Sequence, residues 1–286
     1  MNERIIQAPL TSKREKFMLY MKRNWQLYLL LLPVVAYFII FHYIPMSGLQ
    51  IAFKNYSVRL GFWNSKWVGL KHFHRFFRSY YSIEVITNTL LISLYSLAVG
   101  MPAPILLALS MNEVRCKAFK RTVQTVTYAP YFISTVVMCS MIFLFLSPQN
   151  GVINRIIMAC GGDSIYFMGK PDMFKTIYVI TGVWQYAGWN SIIYVAALTS
   201  VDVEVIEASY IDGVNRMQKI WYITLPNLLP TMSIMLILAL GGIMNAGFDQ
   251  VLVLYNSAVY STGDIIDTYV YREGLVSLNY SYSTAV

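Results

Sequence analysis

The residues of this chain that could do chemistry gather in one polar segment and two sparse stripes. Asp202, Glu204, Glu207, Asp212, Arg216 and Lys219 crowd positions 202–226, between stretches almost free of charge. Tyr186, Asn190 and Tyr194 follow Gly182 at four-residue steps, and Gly241, Asn245 and Asp249 repeat that step further on. Four-residue steps put side chains on one stripe of a helix. Clustered carboxylates and cations offer charge-assisted hydrogen bonds to a partner surface. Tyr and Asn within apolar sequence suit recognition of a solute or bridging between helices. Neither pattern is catalytic.

Reactive constellations are absent from the rest of the sequence. Cys116, Cys139 and Cys160 form no CxxC pair and are odd in number, so they read as free thiols. His72 and His74 are two residues apart, on different faces of a helix, and lack the further ligands that a metal site needs. No GxxxxGK[ST] occurs, and Gly169-Lys170 runs into Pro171, so no P-loop nucleotide site is present. No Ser-His-Asp or paired-carboxylate arrangement suggests an enzyme.

The elements that must hold these residues follow from composition. Of 286 residues, 57% are hydrophobic and 13% charged, and mean hydropathy is +0.51. A soluble domain carries about 25% charged residues, so neither a soluble enzyme nor a disordered chain fits. Five stretches, 25–44, 85–109, 123–146, 177–198 and 228–248, contain no Lys, Arg, Asp or Glu. Each reaches the ~20 residues that a helix needs to cross a ~30 Å hydrocarbon core. Backbone in lipid must satisfy its own hydrogen bonds and strand alternation is absent, so an all-α membrane protein with five spans is expected. The first stretch exceeds a removable signal core of about 7–15 residues. It also ends in Phe41-His42-Tyr43-Ile44-Pro45 without a small-residue cleavage site, and reads as a retained span. The spans lack the acids that serve proton relays, apart from Asp249 at the end of the fifth, so an ion-driven carrier would need another coupling device.

Six basic residues precede the first span, and Arg115, Lys117, Lys120 and Arg121 join the second to the third. The positive-inside rule puts both on the cytoplasmic side, with residues 1–24 as a cytoplasmic tail and 25–286 as the membrane domain. The loop 45–84 then lies outside, although it is basic too. There Lys71, Arg75 and Arg78 interleave with Phe73, Phe76, Phe77 and Tyr80, which predicts a short amphipathic helix in the membrane interface. The net charge of +8 thus reads as contact with membrane lipid rather than with nucleic acid.

The polar segment 202–226 predicts two short helices broken at Gly213, with Val203, Ile206 and Tyr210 on one face and Pro226 and Pro230 in the first turn of the fifth span. Its residues also carry a resemblance. Glu207-Ala208-Ser209, Gly213 after three residues, Ile223 after nine more, and Leu225-Pro226 resemble the EAA loop of binding-protein-dependent ABC importer permeases. Asp212 before the glycine is usual there, and Ser209 stands where Ala is common. Residues 42–54, 67–73, Asn88-Thr89 and 248–252 look like further landmarks of the oligosaccharide and polysaccharide branch, to which the maltose permease subunits belong.

The resemblance implies a type I ABC importer transmembrane fold in a bacterial cell membrane. Glu207, Ala208, Ser209, Asp212, Gly213, Ile223, Leu225 and Pro226 would dock on a cytoplasmic ATPase dimer. It implies a second, homologous permease subunit, an extracellular solute-binding protein and an oligosaccharide substrate. It implies no cofactor on this chain, with ATP and Mg on the partner ATPase. Tyr186, Asn190, Tyr194, Asn245 and Asp249 become a candidate sugar path, although the same types also serve helix packing. Trp25, Trp184 and Trp189 suit anchoring or packing. Residues 255–272, with Ser257, Ser261, Thr262 and Gly263, form an exposed outer loop in this reading and a candidate contact for the binding protein. The pattern has six core spans, so a sixth is expected beyond residue 286. The alternatives are a permease for a non-sugar solute, or a carrier or channel working alone.

Overall fold

The structure, a computed structural model, describes residues 13–286; Glu3 and Arg4 of the basic tail lie outside the described residues. It is mostly helical. α1 (Lys13–Arg23) leads into α2 (Trp25–Phe53), and none of Trp25–Phe38 is buried. The middle of α2 widens over Ile39–Tyr43, where the Ile44 N–H donates to the Ile39 carbonyl just before Pro45. A proline ring crowds the carbonyl four residues back and supplies no N–H. A widened π turn accommodates both.

A two-stranded ribbon, β1 (Lys54–Asn55) against β2 (Lys66–Trp67), precedes α3 (Lys71–Phe77). This is the short basic, aromatic helix expected from the sequence. It buries His72 and Phe76 and exposes Phe77, while Arg75 stacks on Tyr282 with its guanidinium carbon 4.5 Å from the ring centre. α4 (Tyr80–Glu113) starts at a Ser79 cap and extends about 51 Å at 1.5 Å per residue. Its regular winding is interrupted at Met101, where Pro102 and Pro104 follow.

The third apolar stretch is not one straight span. α5 (Lys117–Phe132) and α6 (Thr135–Phe145) meet at 103°. Pro130 ends the first, and Ser134 caps the second through its Oγ, which accepts from the Val137 N–H at 3.4 Å. The Ile133 carbonyl freed at the bend accepts from Gln185 Nε2 at 2.9 Å. A freed carbonyl in a membrane protein needs such a partner.

α7 (Val152–Ala159) leads to α8 (Pro171–Leu198), the axis of the fold. Its N-terminal half packs Phe174, Tyr178 and Val179 with Ile92, Met138 and Val251. Its other end packs Tyr194 and Leu198 with Ile105, Leu109 and Leu228. Lipid and core are equally apolar here, so van der Waals fit and hydrogen bonds hold these helices together.

α9 (Val203–Ile211) and α10 (Arg216–Gly241) complete the long elements. α2, α4 and α10 are long and apolar enough to cross a membrane, and α5 with α6 makes a fourth span if the bent pair counts as one. The second short helix expected after Gly213 is not separate. It is the first turn of α10, so Pro226 and Pro230 lie inside a helix, and Ile220–Thr224 widens before Pro226 as α2 does before Pro45.

The fifth apolar stretch also departs from expectation. α10 stops at Gly241, and Gly247 turns with φ +72° into α11 (Phe248–Leu254). The stripe of Gly241, Asn245 and Asp249 therefore does not exist as one helical face. Residues 255–272 are no exposed loop either, because short helices, including α12 (Ile266–Tyr271), bury Val259, Gly263, Ile265 and Thr268. Arg272 pairs with Asp264 at 2.5 Å, and Asn88 Nδ2 donates to the Ser261 and Asp264 carbonyls at 3.0 and 3.3 Å. α13 (Tyr280–Ala285) packs beside α12, its Tyr282 hydroxyl 2.9 Å from that of Tyr269.

Candidate functional site: a polar loop and a charge-free cavity

The polar loop is shaped by its own residues. Asp202 caps α9, its Oδ1 accepting from the Glu204 N–H at 2.9 Å, and Glu204 in the first turn suits the helix dipole. Gly213 takes φ +74°, and the Val214 N–H reaches back to the Ser209 carbonyl at 3.1 Å, closing α9 in a Schellman turn. Asn215 and Gln218 form a reciprocal capping box at the start of α10. The break at Gly213 thus lies where the sequence puts it.

Glu207, Ala208, Asp212, Gly213 and Pro226 are exposed, Ile223 and Leu225 are partly buried, and Ser209 is buried. Tyr210 and Ile211 are exposed too, so α9 presents both carboxylates and apolar groups outward.

The contact that ties this loop down leaves little trace in the sequence. Lys219, 8% exposed, lies 2.8 Å from Glu113 at the end of α4, and its Nζ also donates to the Tyr210 hydroxyl at 3.2 Å. A lone acid at the end of a charge-free stretch was the available signal, but the two residues are 106 positions apart.

A cavity of about 350 Å³ lies between α4, α8, α10 and the 242–247 turn. Tyr186, Asn190 and Tyr194 line it, together with Gly182, as the four-residue stripe on α8 requires. Asn245 lines it as well, from the turn rather than from a helix. Asp249 does not: it is exposed in the first turn of α11. Gln250 takes that place, donating to the Thr181 Oγ1 at 2.9 Å, and Tyr178 donates from its hydroxyl to the Ala246 carbonyl at 2.6 Å. Ser93 and Ser96 line it from α4, their buried hydroxyls without a hydrogen-bond partner among the described residues. Among the described residues, no charged side chain lines the cavity. Tyr131 stacks on Trp189 with ring centres 4.3 Å apart and lies 6.0 Å from Tyr186, so Trp189 packs at the helix bend. Trp25 and Trp184 are exposed, as anchors would be.

A cavity of this size and polar, aromatic lining can bind and pass a solute. Residues 100–282 match the family model described as the binding-protein-dependent transport system inner membrane component. The chain belongs to this family of membrane transport proteins. The permease is 44% identical over 275 residues to Protein LplB of Bacillus subtilis (strain 168), covering 96% of this chain and 86% of LplB. It is 42% identical, with the same coverage, to the polygalacturonan/rhamnogalacturonan transport system permease protein YteP of that organism.

Two solved structures are similar to the permease. One is a bacterial ABC transporter involved in the import of the acidic polysaccharide alginate, with TM-score 0.88 and 41% identity, covering 94% of this chain and 91% of that one. The other is a bacterial alginate ABC transporter in complex with an alginate pentasaccharide-bound periplasmic protein, with TM-score 0.86 and 42% identity, covering 93% and 88%. The permease has the type I ABC transporter membrane fold.

Proposed function

We propose that this chain is the transmembrane permease subunit of an ATP-driven importer, and that it passes oligosaccharides delivered by an extracellular solute-binding protein. A second permease of similar fold completes the path. A cytoplasmic ATPase dimer, which carries the ATP and Mg, docks on Glu207, Ala208, Ser209, Asp212 and Gly213, with Ile223, Leu225 and Pro226 shaping the return into α10. The observation that carries this reading is the continuity of α10. It begins at the exposed loop beside Gly213 and ends with Met235 and Ala239 on the cavity wall. The relatives that transport polygalacturonan and alginate support a sugar as cargo. Tyr186, Asn190, Tyr194 and Asn245 would contact it through hydroxyl-directed hydrogen bonds and aromatic faces.

The chain crosses the membrane five times in this reading, with α8 spanning it between the bent α5–α6 pair and α10. The 28 residues of α8 are long enough, and its polar stripe turns inward and lowers its hydropathy. The N-terminus is cytoplasmic, since the basic residues of α1 and of the 115–121 connection then share one side with the 202–226 loop.

Purification of the full chain from native membranes in mild detergent tests the proposal. The expected result is a complex with a second permease and an ABC ATPase in stoichiometric amounts, and ATP-dependent uptake of an acidic oligosaccharide such as an alginate pentasaccharide or an oligogalacturonide into vesicles that hold it. A chain recovered alone that transports without ATP would instead be a carrier or channel. A complex that moved only a non-sugar solute would overturn the cargo.

A further inference from the structure

Three elements meet on one ammonium group at the loop end of the molecule. Lys219 of α10 is 2.8 Å from Glu113 Oε1 and 3.0 Å from Oε2, and 3.2 Å from the hydroxyl of Tyr210 on α9. The Lys219 and Glu113 side chains are only 10% and 18% exposed. Among the described residues, the Tyr210 bond is the one side-chain hydrogen bond from α9 to another long helix. Glu113 ends the same helix, α4, that lines the cavity with Ser93, Ser96 and Leu97 about 26 Å away along the axis.

We propose that the Lys219–Glu113 pair, with Tyr210, is the clamp that carries movement of the docking loop into the cavity wall. This rests on the docking role proposed for α9. A shift of α9 pulls on Tyr210, Tyr210 on Lys219, and Lys219 on both α10 and α4, two of the walls that enclose the cavity. Buried ion pairs add little net stability over well-packed apolar groups, whereas their hydrogen bonds fix direction. A strut that must hold two helices in one register through a movement needs that directionality. Lys219 and Glu113 are positioning residues here, since neither touches the cavity.

The test uses the assembled transporter with its ATPase in nanodiscs. The exposed Cys116 and Cys160 are replaced by serine, and Ser93→Cys serves as a reporter of cavity access by its rate of labelling with a water-soluble thiol reagent. With the native pair, a non-hydrolysable ATP analogue should change that rate by about tenfold. Lys219→Met or Glu113→Gln should cut the response to less than about twofold while the ATPase stays bound. The exchange Lys219→Glu with Glu113→Lys should restore it, because the Tyr210 hydroxyl can donate to a carboxylate as readily as it accepts from an ammonium.

A full response in either single variant would overturn the clamp. So would loss of the ATPase from the single variants, which marks a structural role alone, or failure of the exchange to restore the response while the ATPase stays bound. If the native chain itself binds no ATPase, the docking role fails and the clamp falls with it.

Discussion

Gly188 of α8 lies directly against the Thr127 carbonyl of α5, so closely that a side chain on residue 188 would occupy the place of that backbone. Small residues allow such approaches between membrane helices, and the contact fixes where α5 crosses the core axis just before its bend. Gly188→Ala is expected to cost about 1–3 kcal/mol through overpacking. The thermal midpoint of the detergent-purified protein should fall accordingly, while Gly182→Ala, whose added carbon meets only the tip of Gln250, should leave it nearly unchanged. Equal midpoints for the two variants would refute the close approach.

Gly213 presents the opposite case. Nothing lies within 4 Å of a carbon added there, so its requirement is purely conformational, a φ of +74°. Asn tolerates the left-handed region far better than β-branched residues do. Gly213→Asn should keep most ATP-dependent uptake, whereas Gly213→Val should lose most of it with the protein still inserted. Equal uptake in both would remove the turn from the mechanism.

The region around α12 depends on a second ion pair. Asp264, 3% exposed, accepts from Arg272 and from the Thr268 hydroxyl at 2.8 Å. Asp264→Ala leaves the guanidinium half of a largely buried pair without its partner, at a cost of about 3 kcal/mol. Denaturation in detergent should register that loss, and Arg272→Lys, which keeps the charge, should lose less. A midpoint unchanged by Asp264→Ala would mean that water replaces the carboxylate.

Stability should also depend on pH through His72. Burial holds its imidazole below the ordinary 6.5; the Lys54 backbone opposes this in part, and the charges of Lys71 and Arg75 add to it. The unfolded chain then takes up a proton as pH falls through 6.5, while the folded chain resists until lower pH. His72 therefore contributes stability that is present above 6.5 and lost as pH falls below it. Between about pH 7.5 and about 5.5, the midpoint of the native chain should drop more than that of His72→Gln. Parallel curves would exclude the residue.

Much of this architecture is legible in the chain itself, for definable reasons. Charge-free runs give α2, α4 and α10, because the solvent of a span is lipid throughout. The turn at Gly213 and the α8 stripe of Tyr186, Asn190 and Tyr194 are local patterns, and each lies where its spacing puts it. The bend between α5 and α6 is marked in the sequence by Pro130, which ends α5, but its sharpness is hidden, since its support comes from Gln185, far away in the chain. The end of α10 at Gly241 is hidden as well, because the following residues are as apolar as a span while the Tyr178 hydroxyl holds their Ala246 carbonyl in a turn. Residues 255–272 look like loop by composition, yet Asn88 and Thr89 of α4 bind their backbone. Long-range polar partners of this kind leave no periodic trace.

The widened turn in α10 also settles a question of phase. Lys219 and Leu228 are both buried, nine residues apart on one continuous helix. At about 100° per residue, nine steps of regular helix end half a turn out of alignment, so one of the two would face outward. The extra residue within Ile220–Thr224 absorbs one step, and the buried positions run Lys219, Thr224, Leu228. A single rod thus keeps a charged grip at one end and an apolar seat at the other, both turned toward α4.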